Sequence, residues 1–180
     1  MKEDDNIISL IKSAQSSDNL AFESVINSIK QDLYKIAITR LQNEDDVADA
    51  LQNTILKAYE NINKLKYPQY FKTWIIKILI NECNKIHNSN IVFFRNQKIN
   101  LNIDKSYYNL EKESQLGFES IIDILTTKER TIFVLFYSCD LTVLEIARLL
   151  KKNPNTIKSI LHRGKEKLKK YKEVLKWTII

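Results

Sequence analysis

A chain of 180 residues with 44% apolar side chains and a formal charge of +6 has material for a buried core and carries more base than acid. Its 2 Gly and 2 Pro exclude an all-β sandwich or barrel, which needs turn residues at roughly every ten positions. Cys83 and Cys139 lie far apart with no CxxC pair, and with His87 and His162 they make neither a zinc motif nor a disulfide framework, so no metal or other cofactor is expected.

In chain order, Met1 to Asp5 is charged with no apolar run behind it, and no stretch reaches the ~20 apolar residues of a membrane span. A soluble, cytoplasmic, all-α protein is expected. From Asp18 to about His87 apolar residues recur at helical spacing. Ala21, Phe22, Val25, Ile26, Ile29, Leu33, Ile36 and Ala37 make one buried face, and Val47, Leu51, Ile55, Ala58 and Ile62 the next. Asn43 followed by Glu44, Asp45 and Asp46 reads as a helix start, with a capping side chain and acids at the positive end of the dipole. Lys66 to Tyr70 form a short loop, after which Phe71, Trp74, Ile75, Ile78 and Leu79 resume the period, with Trp74 expected in the core.

Residues 88–116 are rich in Asn, Ser, Lys and Tyr without a sustained period, and are expected to be a flexible linker between a first domain, 1–87, and a second, 117–180. A short amphipathic helix is predicted for Phe118 to Leu125. Thr126 with Glu129 makes a capping box for a helix from Lys128 to about Ser138, and Thr142 with Glu145 repeats it for a helix with Ile146, Ala147, Leu149 and Leu150 inside. After a turn of about four residues, Asn153 caps a last helix with Pro154 at its first position. This is the geometry of a helix-turn-helix. Ile157, Ile160, Leu161, Gly164 and Leu168 point inward, leaving Asn155, Thr156, Lys158, Ser159, His162, Arg163 and Lys165 to solvent. Small polar side chains at the start of such a helix reach base edges in a major groove, while lysine and arginine further along pair with phosphates.

Charge alternates along the chain. Residues 1–65 and 106–150 are net acidic and 66–105 net basic, and 151–180 hold ten Lys or Arg against two acids. Basic blocks suit a phosphate backbone and acidic ones a different partner, although a solvated lysine-rich helix has the same composition.

The run Leu141 to Ala147, with Asn155 to Ser159 and Leu161 to Lys165, closely resembles the promoter-binding domain of extracytoplasmic-function sigma factors of the sigma-70 family. Asp46 to Tyr59 resembles the family's polymerase-binding helix, and Phe71 to Ile75 with Ile78 and Asn81 its −10-element segment. The resemblance spans about residues 15–90 and 115–172. It implies a sigma region 2 bundle and a sigma region 4 helix-turn-helix with no active site of their own. Asp46, Asp49, Gln52 and Asn53 would meet the clamp helices of the largest subunit of core RNA polymerase. Lys64, Lys66, Tyr67, Gln69, Tyr70, Lys72, Asn81, Asn84 and Lys85 would hold the unstacked strand of the −10 element, a set of rings, amides and cations suited to single-stranded DNA. Asn155, Thr156, Lys158, Ser159, His162, Arg163 and Lys165 would bind promoter DNA at the −35 element. The family often works under an anti-sigma factor, commonly membrane-anchored. Three positions depart from its pattern: Asn53 stands where an acid commonly follows Gln, Lys151 where the turn usually has Gly, and Ile160 where Arg is frequent.

Two other readings fit parts of the chain: a dimeric regulator that binds duplex DNA without polymerase, and a helical adaptor. Neither has a use for both the Asp46 to Tyr59 helix and the aromatic loop. An enzyme is least favoured, since there is no Gly-rich phosphate loop, no nucleophile elbow, and no paired carboxylates beside a histidine.

Overall fold

The side chains of Asp18 and Asn43 cap helices where the apolar spacing begins. In the computed structural model, which describes residues 2–41, 43–97 and 124–178, these are α2 (Asn19–Ile38) and α3 (Glu44–Asn61), preceded by α1 (Lys2–Gln15). Two single 3-10 turns, Ile62–Lys64 and Pro68–Tyr70, lead into α4 (Phe71–Gln97). After the gap come α5 (Thr127–Phe133), one π turn (Val134–Ser138), α6 (Val143–Leu149) and α7 (Pro154–Thr178). No strand occurs among the described residues. The chain divides into two compact units, Met1–His87 and Asn88–Ile180.

In the first unit Val25, Leu33, Ile36 and Ala37 of α2 are buried with Ala50 and Ala58 of α3 and Ile75, Ile76 and Leu79 of α4. The buried stripe of α3 is Val47, Ala50, Thr54 and Ala58, whereas Leu51 and Ile55, expected inside, are only half-buried. The helix is turned so that its smallest side chains face the core, and the Thr54 hydroxyl satisfies itself by donating to Ala50 O at 2.6 Å. Helix α1 precedes Asp18, where the expected helical spacing begins. It docks through Ile11 and Ala14, an i, i+3 pair, with Ile7, Ile8 and Leu10 half-buried beside them. Helix α4 runs on to Gln97, beyond His87 where a linker was expected to begin. The rest of that segment, and most of the helix expected from Phe118, lie outside the described residues.

In the second unit both capping boxes form. The Thr126 and Thr142 hydroxyls accept from the backbone N–H of Glu129 and Glu145, whose carboxylates accept from the two threonine N–H groups at 2.9 and 2.8 Å. The helix expected to reach Ser138 is α-helical only to Phe133 and then widens into the π turn, keeping Ile132, Phe133, Val134 and Leu135 buried in succession. Ile146 and Ala147 of α6 are buried and Leu149 and Leu150 half-buried.

A chain with two glycines must turn its corners without them. Ser17, Asp140 and Lys151 take left-handed φ values of 70°, 53° and 51°. At Lys151 the turn is a Schellman motif: Lys152 N–H donates to Ala147 O at 2.8 Å and Lys151 N–H to Arg148 O at 3.3 Å. The lysine Cβ is a steric penalty that glycine lacks, offset in part by glycine's greater freedom in the unfolded chain. Lys151→Gly is therefore expected to raise stability by about 0.5–1 kcal/mol. Urea unfolding of the full chain checks this; an unchanged or lower midpoint would show the corner to be unstrained.

Candidate functional site

Three groups of exposed polar side chains stand on this frame. The first lies on α3, whose start is capped by Asn43 Oδ1, which accepts from Asp45 N–H at 3.0 Å, with Glu44, Asp45 and Asp46 in the first turn. Asp49, Gln52 and Asn53 are exposed and Asp46 half-buried. The same face continues to Leu56 and Tyr59, both about half exposed, at 53% and 52%. The 3–4 spacing from Asn53 is the signal that finds these two. Tyr59 donates to Asn19 Oδ1 at 3.0 Å, and its ring stands edge-on to Phe22 with centroids 5.2 Å apart. An acidic strip thus passes into an apolar one.

The second group surrounds the loop before α4. Tyr67 and Tyr70 are exposed, edge to face with centroids 6.2 Å apart. Gln69 and Lys66 are exposed beside them, and Lys64 donates to Asn61 Oδ1 at 2.7 Å. The core aromatic is Phe71. Trp74, expected inside, is half-buried with its ring 5.8 Å from that of Phe71. Gln15, at the end of α1, reaches the loop from behind: its Nε2 donates to Ile62 O at 2.9 Å and to Leu65 O at 2.7 Å.

Further along α4 the polar side chains are tied to the bundle. Lys72 pairs with Asp32 of α2 at 3.0 Å. Asn84 Oδ1 accepts from Arg40 Nη2 at 2.7 Å. Asn81 is exposed. Lys85 and Lys57 of α3 converge on one buried carboxylate, Glu82, at 3.0 and 2.6 Å. Burial disfavours that charge, but hydrogen bonds from Lys57 and Lys85, with their charges, outweigh it and hold the pKa below the ordinary 4.5. Glu82 went unnoticed in the sequence because a lone acid among Asn and Cys has no periodic signal. Its neighbour Cys83 is buried, which pushes the thiol up to about 11 against the opposing pull of Arg40.

The third group is the outer face of α7. Asn153 Oδ1 accepts from Asn155 N–H at 2.8 Å and starts the helix, which has no acid in its first turn. Ile157, Leu161 and Gly164 are buried, while Asn155, Thr156, Lys158, Ser159, His162, Arg163 and Lys165 are all exposed on the other side. Lys165 Nζ lies 5.7 Å from the Tyr137 ring centroid. Lys167 bonds Glu129 at 2.8 Å, so this acid both closes a capping box and anchors α7. Burial works against the Glu129 carboxylate, and Lys167 and Thr126 more than compensate, lowering its pKa.

Among the described residues no group of three His, Cys, Asp or Glu is placed to hold a metal ion, and no helix is long and apolar enough to cross a membrane. Residues 25–89 match the family model for sigma-70 region 2, and residues 116–168 that for sigma-70 region 4. RNA polymerase sigma factor SigV of Bacillus subtilis is 31% identical over 145 residues, covering 77% of this chain and 83% of its own. The chain belongs to the extracytoplasmic-function sigma factors of the sigma-70 family. The sigma factor SigW of the same organism is 24% identical over 174 residues, covering 89% of this chain and 93% of its own. Two solved structures share the fold at 19% identity. The sigma factor RpoE of Bartonella quintana, solved with the anti-sigma factor NepR, has a TM-score of 0.69 over 85% of this chain and 97% of that one. CnrH, solved with the cytosolic domain of CnrY, has a TM-score of 0.64 over 93% and 97%. As a sigma factor of this family, the chain directs promoter-specific transcription initiation by binding core RNA polymerase and promoter DNA.

Proposed function

We propose that the three exposed groups divide the work of initiation between them. Asp46, Asp49, Gln52 and Asn53 dock α3 on the clamp helices of core polymerase, where complementary charge speeds encounter and sets register. The Tyr67 and Tyr70 loop, with Gln69, Asn81 and Asn84 for base edges and Lys64, Lys66, Lys72 and Lys85 for phosphates, holds the opened strand of the −10 element. Lys72, Asn84 and Lys85 bring their intramolecular partners with them, so they steady α4 as well as offering charge and amide groups. Residues 1–87 form the first functional domain and 117–180 the second, with 88–116 between them. The chain carries no catalytic group and works in the cytoplasm. It is held in check by an anti-sigma factor, a reading supported by the structural relative RpoE, which was solved with such a partner.

The observation that carries the proposal is the face of α7: Asn155, Thr156, Lys158, Ser159, His162, Arg163 and Lys165 are exposed opposite the buried Ile157, Leu161 and Gly164 and behind a four-residue turn. The first turn holds no acid, and Lys158, Arg163 and Lys165 outnumber the exposed Glu166. Asn155, Thr156, Ser159 and His162 contact base edges or hydrogen-bond near them, while Lys158, Arg163 and Lys165 have the reach for phosphates. Titrating duplex −35 DNA against holoenzyme over a range of salt separates these roles. Lys165→Ala should weaken binding to all sequences and lower the salt slope by about one unit, whereas Thr156→Ala should cost on the order of 1–3 kcal/mol at one base pair and relax preference there. Wild-type affinity, slope and preference in both variants would exclude this helix as the reader.

A further inference from the structure

We infer that Gln15, in a helix that precedes the segment matched to sigma-70 region 2, is a positioning residue for the loop that captures the opened DNA strand. The inference rests on the assignment of Tyr67 and Tyr70 to that strand.

Gln15 is fixed by its own surroundings. Helix α1 packs through Ile11 and Ala14 and ends directly after Gln15 in a left-handed turn at Ser17, where Ser17 N–H donates to Ala14 O at 3.1 Å and Asp18 N–H to Ser13 O at 3.2 Å. Asp18 at once caps α2. The half-buried amide of Gln15 therefore projects from a backbone held on both sides. It spends its two N–H groups on carbonyls 47 and 50 residues away, Ile62 O and Leu65 O.

Those carbonyls sit where the loop most needs support. Leu65, Lys66 and Tyr67 belong to no helix, and Pro68 has no N–H to give. Leu65 N–H already bonds back to Ile62 O, closing the first 3-10 turn. Gln15 clamps both ends of that closure and so fixes the point from which the chain sets out toward Tyr67. The two rings are exposed and stand edge to face, with centroids 6.2 Å apart. A clip two residues upstream sets their height and direction, and a ring must be held before a base arrives if stacking is not to be spent on ordering the loop.

The test uses holoenzyme and a fluorescent oligonucleotide carrying the unpaired non-template −10 strand of a promoter that it transcribes. Gln15→Met, neutral and of similar size, removes both donors. Gln15→Glu removes them and sets a carboxylate against two carbonyl oxygens, but regains one donor when protonated. Affinity should fall about tenfold in both variants, the worth of two hydrogen bonds. The loss should be constant with pH for Gln15→Met and should shrink toward acid pH for Gln15→Glu. Core polymerase affinity and duplex −35 binding should stay as in wild type, which a general loss of folding would not allow. Wild-type oligonucleotide binding by Gln15→Met, in an assay where the Tyr67→Ala, Tyr70→Ala double variant is weakened, would overturn the role of Gln15 alone. If the double variant also binds as wild type, the assignment of the loop fails and the inference with it.

Discussion

Gly164→Val is expected to destabilise the second unit by about 3 kcal/mol and to abolish −35 binding with it. A Cβ at this position would lie 2.6 Å from Cζ of Phe133 and 3.5 Å from Cδ2 of Leu125. Both are buried, and Phe133 also packs on Tyr137 with ring centroids 5.4 Å apart, so the ring has nowhere to retreat. Alanine should do less harm: it meets the same ring but recovers about 1 kcal/mol of helix propensity. Hydrogen exchange in α5 to α7 measures the loss while α2 and α3 serve as an internal reference. Equal protection in wild type and Gly164→Val would mean that α7 sits farther from α5 than described.

Replacing Tyr67 and Tyr70 together by Ala should impair promoter opening by tenfold or more and leave the closed complex almost unchanged. Stacking of a base on an aromatic ring contributes about 1–3 kcal/mol and is available only once the strands have parted. Both rings are exposed, so their loss removes little from the core. Permanganate footprinting of the −10 region reports opening, and protection of duplex DNA at low temperature reports the closed complex. A normal permanganate pattern would make both rings structural.

The sequence showed the parts of the fold that depend on local chemistry. Two capping boxes, Asn43 and Asn153 as caps, and the four-residue turn were readable because each needs particular side chains at fixed offsets. What escaped it depends on packing at a distance. Val47 and Ala58 are inside as expected, but Ala50 and Thr54, too small or too polar to register as apolar anchors, turn α3 so that Leu51 and Ile55 are left half-buried. Trp74 falls in phase with Ile78, yet both lie at the edge of the stripe and Phe71 takes the core place. For the candidate sites, spacing predicted which face of α7 is exposed but not which polar groups are already engaged. That Lys72 meets Asp32, that Lys85 shares Glu82 with Lys57, and that Arg40 orients Asn84 all require partners from other helices.

The starts of α3 and α7 are built alike and charged oppositely. Each has an asparagine cap whose Oδ1 accepts from the N–H two residues on. Behind the first come three acids that complement the positive end of the helix dipole; the second has none, and Lys151 and Lys152 precede it. In the free protein the first helix end is therefore content, and a phosphate brought to it would be repelled. The second carries an unmet demand for negative charge, which a DNA backbone brought to it would supply. The free energy released in meeting that demand belongs to both processes at once, so by linkage the reading unit should hold its fold more tightly on DNA than alone.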